Sequence, residues 1–205
     1  MILNPSELAL IAITGYGSMQ KHSEFTALLE MLELHKPKVI VEIGIGKGGS
    51  TWAFSKIEGL TKHIIIDMPA GPWGGSPDEE IKKTLTYISQ NSSGVPIEAI
   101  FGNSQNSGCL EALKELLKGE QIDFLFIDGD HSYAGVKTDY LTYSNLVRTG
   151  GLIAFHDVAE HPKETECEVK KFWDELKESG ITPDLYTEFI DPEGGEWAGI
   201  AVVRW

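Results

Sequence analysis

Val41-Glu42-Ile43-Gly44-Ile45-Gly46-Lys47-Gly48-Gly49-Ser50 is the stretch on which the fold turns. The apolar run from Lys38 to Ile43 reads as a short buried strand, and a helix from about Gly49 to Lys56 follows the glycines. Glycine adopts positive φ at little steric cost and lets a backbone approach a ligand closely. The helix start behind it leaves N–H groups without partners. In open parallel sheets, ligands bind at the carboxyl ends of the strands, beside the point where strand order reverses. Asp67 ends the next strand, 23 residues beyond Gly44, where a carboxylate can accept both hydroxyls of a ribose. Gly44, Gly46 and Gly49 also satisfy G-x-G-x-x-G, which admits a nicotinamide dinucleotide. Glu42 opposes that ligand, because a carboxylate repels a pyrophosphate and suits a cofactor with a cationic amino-acid part.

Working outward, Phe25, Leu28, Leu29 and Leu32 fall at i, i+3, i+4 and i+7, an amphipathic helix that Lys36-Pro37 ends. Before it the chain opens irregularly, with an apolar patch from Leu8 to Ile13. Downstream, Ile64 to Ile66, Ile97 to Phe101 and Ile122 to Ile127 read as strands. Helices over Asp78 to Gln90 and around Leu110 to Leu117 separate them. A helix from Tyr133 to Val147, a Gly150-Gly151 turn and a strand from Leu152 to Phe155 come next. A last helix, Thr165 to Ser179, precedes Leu185 to Ile190 and Ala198 to Arg204, a hairpin about the Pro192 to Gly195 turn. This alternation predicts an α/β fold: a single Rossmann-like doubly wound sheet of about seven strands, mostly parallel, with an antiparallel C-terminal hairpin. Residues 1–205 read as one domain, with 1–36 as an N-terminal helical segment or lid and 37–205 as the cofactor-binding core.

The 205 residues carry 17 Lys and Arg against 31 Asp and Glu, a net charge of −14. Such a balance repels phosphate backbones and anionic lipid, so neither nucleic acid nor a membrane is expected as partner. No apolar stretch reaches the roughly 18 residues of a bilayer span, and no basic segment precedes the Leu8 to Ile13 patch. Cys109 and Cys167 are too few for a disulfide framework or a C-x-x-C metal site. A soluble, cytoplasmic protein is expected, with the apolar patch as the interface of a homodimer or higher homo-oligomer.

The Glu42-x-Gly44-x-Gly46-x-Gly48 run resembles motif I of the class I S-adenosylmethionine-dependent methyltransferases. Gly102-Asn103-Ser104-Gln105 is similar to the Gly-x-Ser-Gln that catechol-type O-methyltransferases carry beside the adenine, and Met68 after Asp67 also resembles that group. Leu146 to Leu152 resembles their loop before strand five. The segment from Phe124 to Asp157, with Ile127-Asp-Gly-Asp-His-Ser-Tyr133 and Phe155-His-Asp157, is similar to small methyltransferases sometimes named cephalosporin hydroxylases, and to macrolide and aminocoumarin sugar O-methyltransferases. The resemblance runs from about Gln20 to the C-terminus. It implies S-adenosylmethionine held by Glu42, Gly44, Gly46, Ser50, Asp67, Met68, Ser104, Gln105 and Asp128. It also implies O-methylation of a small hydroxylated acceptor, a sugar or polyketide-like metabolite.

Asp128 and Asp157 end adjacent predicted strands, and burying two unpaired like charges is costly. A bridging divalent cation removes that cost and lowers the pKa of an acceptor hydroxyl; oxygen ligands favour Mg²⁺. Alternatively, both aspartates cap helices. The resembling enzymes carry an acidic pair after strand five where this chain has His156-Asp157, so the implied ligands are Asp128, Asp157 and His156. His131, with a reference pKa near neutrality, is a candidate base. It lies three residues after Asp128, where catechol-type enzymes place a lysine and some macrolide enzymes a histidine. Asp130 is the rival, in the manner of the aminocoumarin sugar enzymes. Met19, Gln20 and His22 resemble a segment that folds over the active site, and Trp73 is read as an acceptor-pocket or lid residue. Trp197 and Trp205 are read as core or interface, Asp139 as a surface charge, and His161 as having no role. Two further readings stay open. Tyr133 and Lys137 share the Tyr-x-x-x-Lys spacing of an NAD-dependent oxidoreductase, and a non-catalytic module would bind the cofactor without turnover.

Overall fold

Every residue of β1 (Val39–Ile43) and nearly every residue of β4 (Ile122–Ile127) is buried, which suits only strands covered on both faces. A computed structural model describes residues 3–73, 75–91, 95–180, 186–191 and 195–205. Among them, β1 and β4 lie at the centre of a seven-stranded sheet with β2 (Lys62–Asp67), β3 (Ile97–Phe101), β5 (Val147–His156), β6 (Tyr186–Phe189) and β7 (Ile200–Arg204). The order is β3-β2-β1-β4-β5-β7-β6, so direction along the sheet reverses between β1 and β4. The first five strands pair in parallel, and β7 runs antiparallel between β5 and β6. This is the expected fold class.

The two-residue period of each strand sorts its side chains between two cores. Val41, Ile43, Leu125, Ile127, Ile153 and Phe155 pack under α5 (Ser107–Leu117), α6 (Tyr133–Tyr143) and α7 (Val169–Glu178). Ile40, Phe124, Phe126, Leu152 and Ala154 face the other way, against α1 (Pro5–Tyr16), α2 (His22–His35) and α3 (Gly49–Phe54). Ile81 and Leu85 of α4 (Asp78–Asn91) close a smaller cluster over Ile45 and Ile65.

Three expectations need correction. The opening is a regular helix, α1: the Asn4 side chain accepts from Glu7 N–H at 3.0 Å, Glu7 accepts from Asn4 N–H at 2.9 Å, and Pro5 occupies the first turn. Its Leu8, Ala9 and Ala12 are buried against α2 and α3, so much of the patch read as an oligomer interface is spent inside the fold. Gly150-Gly151 is not a turn. It lies in a bulge within β5, where a step of two on β4 (Ile122 to Phe124) faces a step of five (Val147 to Leu152). Trp205 stitches it shut through Gly150 N–H to Trp205 O at 2.6 Å and Trp205 N–H to Gly151 O at 2.9 Å. Finally, α7 starts at Val169 rather than Thr165, because Glu166 takes a left-handed φ of 55° after a 3-10 turn. β6 and β7 pair as the hairpin reading requires; Leu185 and Pro192 to Gly194 of that reading lie outside the described residues. Among the described residues, no helix is long and apolar enough to cross a membrane.

Candidate active site

The carboxyl ends of β1, β2, β4 and β5 and the turn after β3 converge on one cleft, about 1100 Å³ of atom-free space open to solvent. It lies beside the reversal of strand order, where such sheets bind ligands. Gly44 makes the convergence possible. Its φ is 88°, and a Cβ there would stand 2.0 Å from the Asp128 carbonyl oxygen, so only glycine lets the β1 and β4 turns pass. Gly46, at φ 53°, borders the cleft with nothing within 4 Å of where a Cβ would be.

Glu42 does not face this cleft. Strand parity sends its side chain, like that of Ile40, toward α3, where Thr51 Oγ1 donates to it at 2.7 Å and Ser50 Oγ also donates. His63 Nε2 lies 3.3 Å away, and both residues are fully buried. Glu42 therefore positions the start of α3, and the expectation that it meets the cofactor directly is corrected. Ser50 borders the cleft with its hydroxyl already committed to Glu42.

Asp67 does face the cleft, and its Oδ2 is buried without a hydrogen-bond partner. Burial pushes its pKa up to about 6, against the Ile45 N–H that bonds it and with a contribution from Glu42. An orphaned buried carboxylate oxygen beside an open glycine cradle fits a ligand that brings hydroxyl donors. Met68, Ser104 and Gln105 border the same space.

At the β4 end, the two candidate bases differ sharply. Gln105 Nε2 donates to Asp130 Oδ2 at 2.8 Å, and Ser132 N–H donates to Asp130 Oδ1 at 3.0 Å. Burial opposes the Asp130 charge, yet these bonds hold its pKa below the ordinary value, which makes it a weak proton acceptor. His131 stacks on Trp73 with centroids 5.0 Å apart. Its Nδ1 lies 3.1 Å from Asp157 Oδ2 and its Nε2 3.6 Å from Asp128 Oδ1. Burial disfavours its charge, but Asp128 and Asp157 outweigh that and raise its pKa.

His156, at the end of β5, turns inward between the two aspartates. Its Nδ1 is 3.2 Å from Asp128 Oδ1 and 3.3 Å from Asp157 Oδ2. Burial opposes its protonation, but the two carboxylates hold its pKa well above the usual value; Asp157, in turn, is held well below its own. One donor atom from each of Asp128, His156 and Asp157 lies within 4.8 Å of the others. Adjacent ligands around a small divalent ion stand about 3 Å apart, so two carboxylates and an imidazole at these separations fit such an ion. Cys167 also lies near His131 and Asp157, but burial pushes its thiol up to about 11, and it stays protonated.

The neighbours of this cluster divide into those the sequence marks and those it does not. Gln20 Nε2 donates to Asp128 Oδ2 at 2.9 Å, so the segment before α2 does reach the site, whereas His22 turns to Ser6 at 3.3 Å. Met19, bordering the cleft, is largely exposed. His161, read as having no role, places Nε2 3.1 Å from Asp157 Oδ1. Glu24 is buried 3.4 Å from His156 Nε2. Its only sequence signal is that of a helix start. Trp197 borders the cleft with 42% exposure instead of joining the core, and Lys21 Nζ donates to its carbonyl at 2.7 Å. Trp205 packs against the core. Asp139, read as a surface charge, is fully buried; burial raises its pKa to about 7. Tyr133 and Lys137 bond each other and Glu175 and do not border the cleft.

A family model described as "Methyltransferase domain" matches residues 41–158, more than half of the chain. A curated relative, an uncharacterised protein of Acanthamoeba polyphaga mimivirus, is 34% identical over 121 residues. That match takes in 59% of this chain and 52% of the relative, so the chain spans about half of its length. Among solved structures, an O-methyltransferase from Bacillus cereus in complex with SAH is 16% identical, covering 98% of this chain and 90% of that one, at a TM-score of 0.61. TomG, an O-methyltransferase from Streptomyces achromogenes involved in tomaymycin synthesis and solved with SAM, is 15% identical at a TM-score of 0.64, covering 98% and 89%. MycE, a methyltransferase of the mycinamycin pathway solved with Mg, SAH and mycinamycin VI, is 16% identical at 0.64, covering 98% of this chain and 54% of that one.

Proposed function

This chain belongs to the methyltransferase-domain family, and from that premise we propose that it is an S-adenosylmethionine-dependent O-methyltransferase of a small hydroxylated acceptor, a sugar or polyketide-like metabolite, with a divalent cation at Asp128, Asp157 and His156. The observation that carries the reading is Asp67, a buried carboxylate with one unpartnered oxygen, which borders the cleft together with Gly44 and Gly46. The family assignment displaces the oxidoreductase reading. MycE is solved with Mg, which supports a cation in this chain as well, and the donor set of this chain fits one. Two free thiols, Cys109 and Cys167, support a cytoplasmic setting.

When bound, S-adenosylmethionine supplies a methyl group on a sulfonium, and a cation supplies Lewis-acid stabilisation of the acceptor oxygen. The rest is the work of the chain. Asp67 accepts the ribose hydroxyls, while Gly46 leaves room for backbone contact and Ser104 and Gln105 flank the nucleoside. Asp128 and Asp157 balance the charge of the cation they would hold, so a positively charged sulfur is not repelled from the cleft. Asp157 accepts from His131 Nδ1–H, which leaves Nε2 to take the proton of the acceptor hydroxyl. Trp73 holds the imidazole ring flat and shields that proton transfer from water. Asp130, bonded to Gln105 and Ser132, holds the β4 turn in shape rather than moving a proton. Holding donor and acceptor in line supplies much of the rate, since the methyl group is already reactive.

The test is calorimetric titration with S-adenosylhomocysteine, followed by methyl transfer to a panel of sugars and polyketide-like alcohols. Micromolar binding together with transfer to a hydroxyl is expected. Absence of binding would overturn the reading at its root, and binding without transfer to any hydroxylated acceptor would leave a cofactor-binding module.

A further inference from the structure

We infer that the cation held here is a first-row transition ion rather than Mg²⁺, bound through His156 Nδ1, with Glu24 as the outer carboxylate that aims the imidazole. The inference rests on the proposed cation site and specifies its chemistry.

The imidazole is set as a ligand on both sides. His156 is 4% exposed, and its Nδ1 points between two carboxylate oxygens at 3.2 and 3.3 Å. Its Nε2 is buried without a hydrogen-bond partner and faces Glu24 Oε1 at 3.4 Å. A histidine that ligates through one nitrogen characteristically offers its other N–H to a carboxylate, which fixes ring orientation and raises its donor strength. Glu24 is well fixed for that role. It is 1% exposed; Lys21 N–H donates to Oε1 at 2.9 Å and Gly199 N–H donates to Oε2 at 2.8 Å. These bonds anchor it from the start of α2 and from the residue before β7, so the carboxylate cannot swing away without breaking both.

The remaining donors are hard. Asp128 and Asp157 each offer a carboxylate oxygen, and Gln20 holds the second oxygen of Asp128 in place. Two carboxylates and one imidazole form a mixed donor set. Magnesium prefers oxygen and water throughout, whereas imidazole suits iron, nickel, copper and zinc; manganese, the weakest binder of the first-row series, accepts both carboxylate and imidazole and is the paramagnetic probe of the site.

The experiment uses the full chain stripped with EDTA. Mn²⁺ and Mg²⁺ are titrated separately by calorimetry, and the Mn²⁺ complex is examined by pulsed electron paramagnetic resonance for coupling to an imidazole nitrogen. Mn²⁺ is expected to bind at least about tenfold more tightly than Mg²⁺, with nitrogen coupling present. His156→Asp should abolish the coupling and reduce the preference for Mn²⁺. His131→Gln and His161→Gln should each keep the coupling, which separates His156 from the other two imidazoles beside Asp157. Glu24→Gln should keep the coupling and weaken Mn²⁺ binding about 10- to 100-fold. If His156→Asp fails to fold, nitrogen-isotope labelling of histidine in the full chain carrying both His131→Gln and His161→Gln decides the same point. Mn²⁺ bound without nitrogen coupling, or Mg²⁺ bound as tightly, overturns the inference and leaves the cation site standing. Failure of both ions to bind while S-adenosylhomocysteine still does overturns the cation site as well, and leaves the methyltransferase reading intact.

Discussion

Asp67 combines burial with an unpartnered oxygen, and the two have opposite consequences for the ligand. Burial keeps water from competing for the carboxylate, but it also raises the pKa to about 6. Only the ionised form accepts two hydroxyls, so cofactor affinity is highest above pH 6. It falls as pH drops through that value, by up to about tenfold per unit. Calorimetry with S-adenosylhomocysteine between pH 5 and 8 measures this, and Asp67→Asn should flatten the profile while weakening binding about tenfold or more. Asp139 behaves differently. It is fully buried, burial outweighs the Ser104 hydroxyl that favours its charge, and its pKa of about 7 lies above that of the unfolded chain. The folded state thus holds a proton that the unfolded state has released, and stability falls as pH rises from about 4 to about 7. Asp139→Asn removes that slope. Denaturant melts should show the variant gaining nothing near pH 4 and on the order of 2–4 kcal/mol at pH 7 and above.

Among the elements, α3 depends on a residue outside itself. It is six residues long with Gly48 before it and no side-chain cap of its own, and Ser50 and Thr51 in its first turn donate to Glu42 of β1. Glu42→Ala would leave both hydroxyls and His63 buried without their partner. A loss of about 3 kcal/mol or more is expected, a fall in Tm of roughly 10 °C in thermal unfolding. The acidic residue ahead of the glycine turn was plain in the sequence, but its direction was not. That direction follows from the two-residue parity of β1 combined with the side on which α3 packs. The Asn4-Pro5-x-Glu7 start of α1 is a local capping pattern, but Leu10 and Ile11 on its outer side blur the apolar stripe that marks a helix. The Gly150-Gly151 pair shows the converse: glycines that suggest a turn when read locally become a bulge once β4 and Trp205 are alongside.

Across the whole molecule, the site exists because parallel strands deliver their carboxyl ends to one edge, and because the first and last parts of the chain close over it. Gln20 and Glu24 come from the start, and Trp197 and Gly199 from the end; Lys21 and Glu24 bond these two parts to each other. The catalytic assignment of His131 belongs to this scale, since its partners Asp128 and Asp157 end different strands. His131→Gln should lower kcat about 10²- to 10⁴-fold while leaving S-adenosylhomocysteine affinity within about twofold, measured by single-turnover methyl transfer and calorimetry.

The sequence by itself determined the alternation of strands and helices, the glycine turn, and the placing of Asp67, Asp128 and Asp157 at strand ends. Those features are written in hydrophobic period and in residues that only a turn or a strand end accommodates. The tertiary structure alone decided which way Glu42 points, that Asp139 is buried, and that His161 meets Asp157 and Glu24 backs His156 in the cluster. These residues are as much as 137 positions apart in a chain of 205 (161 − 24). Their meeting depends on strand order and on helix packing, neither of which leaves a local mark on the residues concerned.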